Sequence, residues 1–168
     1  RRVISITLLV CYLDYGQIGL RLLYGHLNSA LPDNKDLYNI PELPGGREGV
    51  KKLISAAISA SKPQKRYPKG VRELAGCRGP HWFVMSIIRE YHHAVADQFY
   101  KGLDVALMRK EPDVMVELLL ELKRQHIVAL PIHDGVLVAD GVHEQTIEIM
   151  KIVFEEYVCV AGVVNIED

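Results

Sequence analysis

The chain has 168 residues, 49% of them hydrophobic, and a formal net charge of −1; that is room for one compact domain, or one domain with an inserted subdomain. The composition is too apolar for a disordered segment, and the overall charge excludes a uniformly basic nucleic-acid binder. The cysteines at 11, 77 and 159 are widely spaced and form no Cys-x-x-Cys, which argues against a disulfide framework or a zinc ribbon and leaves plain thiols.

Charge is distributed unevenly. Residues 47–110 hold thirteen Lys/Arg against five Asp/Glu, whereas residues 111–168 hold three against twelve. The middle third suits phosphates, and the last third would need metal ions to approach them. Either run also fits a plain solvated face.

The first segment, 3–13, is rich in Ile, Val, Leu and Thr and reads as a central strand. Its apolar run is too short to cross a membrane and has no small-residue cleavage site after it, so no membrane association and a soluble, cytoplasmic protein are expected. The strand runs into Asp14-Tyr15-Gly16, and residues 17–27 then show near-helical spacing through Ile18, Leu22, Leu23 and Leu27. Residues 28–46 carry Pro and Gly and read as loop, with a short helix near 35–40. A helix follows over 47–60, with Val50, Leu53, Ile54, Ala57 and Ile58 on its apolar face. Residues 61–80 are basic and broken by Pro and Gly, a mobile or ligand-dependent loop. Helices are expected over 82–96, extending toward 101, and over 112–125, where Val114, Met115, Leu118, Leu119 and Leu122 form a core stripe. Two short apolar runs flank His133-Asp134-Gly135, the pattern of a β-hairpin, and Asp-Gly suits a turn that needs positive φ. A helix over 142–157 and a short strand within 158–166 close the chain.

Three pieces carry chemistry. Asp14 lies at a strand end, His133-Asp134 at a hairpin tip, and Arg47 and Lys51 share one helical face at i and i+4. Phosphoryl transfer depends on charge stabilisation more than on covalent participation, and two divalent ions about 4 Å apart can clamp the attacking and leaving oxygens. Magnesium prefers carboxylate oxygens together with water and substrate phosphate. Two aspartates from distant segments supply such a cradle, and an Arg/Lys pair can hold a triphosphate. Taken singly, Asp14 also fits a helix N-cap, Asp134 a turn residue, His133 a structural histidine, and Arg47 with Lys51 a solvated helix start. His92 and His93 are adjacent and would point apart on a helix, so they do not read as a metal pair.

Leu13-Asp14-Tyr15-Gly16-Gln17-Ile18-Gly19-Leu20-Arg21 resembles motif A of family A DNA polymerases, Asp-Tyr-Ser-Gln-Ile-Glu-Leu-Arg, matching six of its eight positions. Arg47-x-x-x-Lys51 resembles the opening of motif B on the fingers helix, and Ile132-His133-Asp134 resembles motif C, in the family's order. More loosely, the chain resembles a group of uncharacterised bacterial and phage-like proteins that pair such a motif A with a Leu-Pro-Ile/Val-His-Asp hairpin. The resemblance implies that Asp14 and Asp134 bind two Mg²⁺ or Mn²⁺ ions with help from the Tyr15 carbonyl. It implies that His133 lies near a primer terminus and that Arg47 and Lys51 hold the incoming nucleoside triphosphate. Gln17 and Arg21 would support the primer-template or the site. The basic segment adds Lys62, Lys65, Arg66, Lys69, Arg72 and Arg78, with Tyr67 interleaved, as candidate nucleic-acid contacts.

The sequence departs from this family at instructive places. Gly19 stands where these DNA polymerases place the Glu that blocks a ribose 2′-hydroxyl, and Gly135 follows His-Asp where they have Glu. The related single-subunit RNA polymerases have Gly at the first position and a small residue at the second, so ribonucleotide acceptance is expected. Ser59-Ala60 replace the Tyr-Gly of motif B, and Ser55 replaces its aromatic. The resemblance covers about half the chain, which leads to three expectations: a minimal palm, a fragment of a larger protein, or a palm whose thumb comes from a partner.

The expected fold is α+β: an antiparallel palm-like sheet bearing Asp14 and Asp134, helices packed on one face, and a reduced helical fingers insertion. Palm residues would be 1–30 and 101–168, with the basic insertion at 38–100. The expected function is template-directed nucleotidyl transfer. The alternatives are a non-catalytic nucleic-acid-binding palm module and a metal-dependent nuclease.

Overall fold

Val10–Tyr15 forms strand β1, the centre of a four-stranded sheet. The computed structural model describes residues 9–75 and 79–167. The start of the expected first strand, Cys77 and Arg78 lie outside these. The chain divides into two compact units, one made of residues 1–16 and 111–168, the other of 17–110. The first is thus discontinuous and the second inserted, with boundaries at 16/17 and 110/111 instead of near 30–38 and 100, because the helix after Asp14 belongs to the inserted unit.

In the first unit, β2 (Ala129–Ile132), β3 (Gly135–Ala139) and β4 (Val164–Glu167) complete an antiparallel sheet in the order β2-β3-β1-β4. Alternation along the strands divides its faces. Leu13, Tyr15, Val136 and Val138 are buried, while Tyr12, Asp14 and Leu137, on the other face, are half-buried. The helix α6 (His143–Val158) covers the buried face, because Thr146, Ile149, Met150, Val153 and Phe154 recur at helical spacing. Tyr15 anchors it: the ring lies 5.1 Å from Phe154 and the hydroxyl donates to the Met150 carbonyl at 2.9 Å. Burial without a cation nearby pushes the Tyr15 phenol well above its ordinary range, so it stays a donor. The helix α5 (Lys110–Arg124) runs antiparallel to α6, tied at one end by Tyr157 to Asp113 and at the other by Gln145 to Gln125. The fold class is therefore α+β with an antiparallel sheet, as expected.

The inserted unit is helical: α1 (Ile18–His26), α2 (Arg47–Ser59), α3 (His81–Tyr91) and the short α4 (Asp104–Met108). Backbone N–H groups of Tyr100, Gly102 and Leu103 donate to the carbonyls of Ala57, Ala60 and Ile58, satisfying the end of α2. The expected short helix near 35–40 is absent. Asn34 and Asp36 instead accept from the backbone N–H groups two residues on, at 3.2 and 3.0 Å, which offers the chain turns in place of a helix. Helix α3 stops at Tyr91 and does not run on to 96, because His92 turns inward. Its Nε2 donates to the Leu37 carbonyl at 3.0 Å and its Nδ1 accepts from the Tyr24 hydroxyl at 2.9 Å. His93 is exposed, so the adjacent pair does point apart. Helix α4 was not expected, since five residues are too few to show a period. Among the described residues, no helix is long and apolar enough to cross a membrane.

His92 is fully buried, and burial depresses its pKa to about 4 despite the Leu37 hydrogen bond. The unfolded chain therefore binds the extra proton first. This stabilisation is complete above the unfolded value near 6.5 and is lost as pH falls toward about 4, on the order of 3 kcal/mol in all. Urea unfolding at stepped pH should show that loss, and His92→Gln, which cannot charge, should flatten the profile. An unchanged slope in the variant would contradict the assignment.

Candidate carboxylate site

The site begins with β1. Its alternation puts Asp14 on the sheet face opposite α6, between Gly135 of β3 and Asn165 of β4 in the strand register. Asp14 lies inside the strand, one position further than the expected strand end, so it is not a helix N-cap: Gln17 occupies that position, with φ 62°. Neither side-by-side neighbour of Asp14 is anionic, so no like charge directly opposes it in the sheet.

Asp134 arrives on the β2–β3 hairpin. Ile132 pairs with Gly135, leaving His133 and Asp134 as a two-residue turn. The positive φ falls on His133, at 52°, and not on Gly135 as the Asp-Gly pattern suggested. Gly135 answers a different need. A Cβ there would stand 2.3 Å from the Leu13 carbonyl oxygen and 2.8 Å from the Tyr12 hydroxyl, so only glycine lets β3 approach β1 this closely. The small residue after His-Asp is thus required by packing. Gly19 differs, for the space where its Cβ would sit is open.

Two hydrogen bonds fix the hairpin tip beside Asp14. The Tyr15 N–H donates to the Asp134 carbonyl at 3.1 Å, and the Tyr12 hydroxyl reaches over Gly135 to donate to the Ile132 carbonyl at 3.1 Å. Asp14 and Asp134, 120 positions apart in the chain, are thereby neighbours at one end of the sheet, both half-buried. His133 is exposed beside them. Glu111, at the start of α5, adds a third carboxyl within electrostatic range. Burial first and the Asp134 charge second hold it above the usual carboxylate range. Among the described residues, no three His, Cys, Asp or Glu side chains converge as a ready metal cage. Magnesium needs none, since it commonly takes one or two carboxylates and completes its shell with water and phosphate. The hard oxygen donors of Asp14 and Asp134 fit that chemistry.

The remaining candidates lie in the inserted unit. Arg21 is buried; its guanidinium donates to the Lys35 carbonyl at 2.9 Å and to Gln17 Oε1 at 3.3 Å, and burial lowers its pKa. Gln17 also accepts from the Leu37 N–H at 3.0 Å. Both side chains are thus engaged in holding the 35–37 loop. Arg47 donates to Asp36 at 2.5 Å and to Glu48 at 2.7 Å, with its guanidinium 5.9 Å from the Tyr38 ring centroid. The Asp36 hydrogen bond is the main reason its pKa is raised. Lys51, one turn on, is exposed, as are Lys62, Lys65, Arg66, Lys69 and Arg72.

Tyr12, Asn165 and Glu111 escaped the sequence reading. Tyr12 alternates with Asp14 on one strand face, which is a signal; Glu111 and Asn165 come close only through tertiary folding. No protein-family model matches the chain, and no curated protein matches it either.

Gly135→Ala should destabilise the fold by about 1–3 kcal/mol, the cost of forcing an extra methyl into a packed site. Tyr12→Phe should cost about 1 kcal/mol for the lost hydrogen bond. Both are read from denaturant midpoints. A Gly135→Ala protein as stable as the wild type would mean that β3 does not approach β1 this closely.

Proposed function

We propose that this chain catalyses template-directed nucleotidyl transfer onto a nucleic-acid 3′-hydroxyl, with Asp14 and Asp134 holding two Mg²⁺ or Mn²⁺ ions. The observation that carries the reading is the register of Asp14 against Gly135 with the Tyr15–Asp134 backbone bond, which brings the backbones of Asp14 and Asp134, 120 positions apart in the chain, to adjoining places at one end of the sheet. Their oxygen donors suit magnesium, and the order of the three motifs suits a polymerase palm.

In this reaction the 3′-hydroxyl oxygen bonds to the α-phosphorus of a nucleoside triphosphate, and pyrophosphate leaves. Bound ions supply positive charge to the attacking and leaving oxygens. The protein's part is to hold the two carboxylates rigidly: Tyr12 and the Tyr15 N–H fix the hairpin, and Tyr15 ties β1 to α6. His133, exposed at the hairpin tip, would meet the primer end. The basic inserted unit supplies cations for phosphates, Lys51 the most accessible of the motif B pair because Arg47 is already held by Asp36 and Glu48. A nucleic-acid primer-template and nucleoside triphosphates are the partners in this reading, and a thumb would come from a further domain or a partner protein.

Primer extension with Mg²⁺ or Mn²⁺, using deoxy- and ribonucleotides, tests the proposal. The wild type should extend a primer with either sugar. Asp14→Asn or Asp134→Asn should lower the rate at least about a hundredfold, since even groups behind a metal ligand are worth 10- to 100-fold. No extension under any condition would sink the enzyme reading and leave a nucleic-acid-binding module. Strand shortening without added nucleotides would favour a nuclease built on the same carboxylates. Gly19→Glu should shift the preference toward deoxynucleotides, and an unchanged sugar ratio would remove Gly19 from sugar selection.

A further inference from the structure

The chain has a single tryptophan, Trp82, and it is 70% exposed on the first turn of α3 beside Phe83, itself 41% exposed. The two rings meet edge to face with centroids 5.9 Å apart. Their neighbours in the helix face inward, since His81, Val84 and Met85 are buried. Trp82 therefore leaves most of its ring in solvent, outside the core of its own unit, where a large ring stabilises most.

The basic segment is fastened to this same helix end. Tyr67 packs edge to face on His81, with centroids 5.2 Å apart, and its hydroxyl donates to the Gly79 carbonyl at 3.0 Å. Arg66 directly precedes Tyr67, and Trp82 directly follows His81, so the Tyr67–His81 contact joins the basic segment to the helix end that carries the exposed tryptophan. Residues 61–75 carry five Lys/Arg and one Asp/Glu. Further along the exposed face of α3, Ser86 and Arg89 follow Trp82 at helical spacing. Arg89 is only loosely engaged, 3.9 Å from the exposed Asp97.

An exposed aromatic platform with cations on one side is the chemistry of single-strand recognition: bases stack on the ring and phosphates meet the cations. Duplex bases are already stacked and offer the platform nothing. We propose that Trp82 is a base-stacking site for an unpaired nucleic-acid strand, with Phe83 beside it and Lys65, Arg66 and Lys69 holding the adjoining phosphates. The site deepens the nucleic-acid reading above and rests on it for its role, but it is independent of the carboxylates.

Because Trp82 is unique, its fluorescence reports on the site alone. The full chain is titrated, without divalent ions or nucleotides, with an oligothymidylate of about 12 nucleotides, with an abasic strand of equal length and with a blunt duplex. The oligothymidylate should quench the emission saturably, and the other two should not. Binding of the same strand, labelled with fluorescein and followed by anisotropy, should weaken about 5- to 150-fold in Trp82→Ala and recover largely in Trp82→Tyr. The titration contains no divalent ion or nucleotide, so its failure is distinct from failure of the catalytic reading, which primer extension tests separately. Equal quenching by the abasic strand, unaltered emission, or undiminished affinity in Trp82→Ala would overturn the proposal. So would self-association that depends on Trp82 with no response to any strand, which would assign the face to a second copy.

Discussion

Everything proposed for the carboxylate site depends on how closely β3 lies against β1 at Gly135. The hairpin tip is fixed where the backbone of Gly135 meets the Leu13 carbonyl with no room for a side chain between them. From that contact follow the register that sets Asp14 opposite Gly135, the Tyr15–Asp134 backbone bond and the reach of Tyr12 to Ile132. A one-residue slip would send Asp14 to the α6 face, where Leu13 and Tyr15 are buried and a carboxylate would be strongly penalised. The core therefore specifies the site: the same alternation that buries Leu13 and Tyr15 presents Asp14.

Charge follows the division of the chain. The unit that carries the aspartates includes the acidic last third of the sequence, and the inserted unit holds all of the basic middle. In the proposed reading, the carboxylates of Asp14 and Asp134 would repel phosphates unless divalent ions came between. The basic unit needs no such help, and its exposed cations and Trp82 suit direct contact with a strand.

Much of this was legible in the sequence, and the rest was hidden for identifiable reasons. Helices α2, α5 and α6 announce themselves by apolar spacing, and the hairpin by two short apolar runs around a turn. The two aspartates stood out because motif order added to weak individual signals. The positive φ expected at Gly135 falls on His133 instead, and the steric constraint on Gly135 comes from a backbone 122 positions away, which no local pattern encodes. Arg21 and Gln17 looked like substrate contacts because motif A contains them, yet their hydrogen bonds go to a loop whose own turns were unforeseen. His92 ended α3 early by a contact with Tyr24 and Leu37 that no periodicity encodes.

The central claim is that Asp14 and Asp134 share divalent ions. Electron paramagnetic resonance of Mn²⁺ titrated into the whole chain reads free ion directly, with no need for substrate or turnover. The account predicts saturable uptake by the wild type, weakened at least about tenfold by Asp14→Asn and by Asp134→Asn alike. Equal uptake by the wild type and both variants, with all three folded, would contradict it.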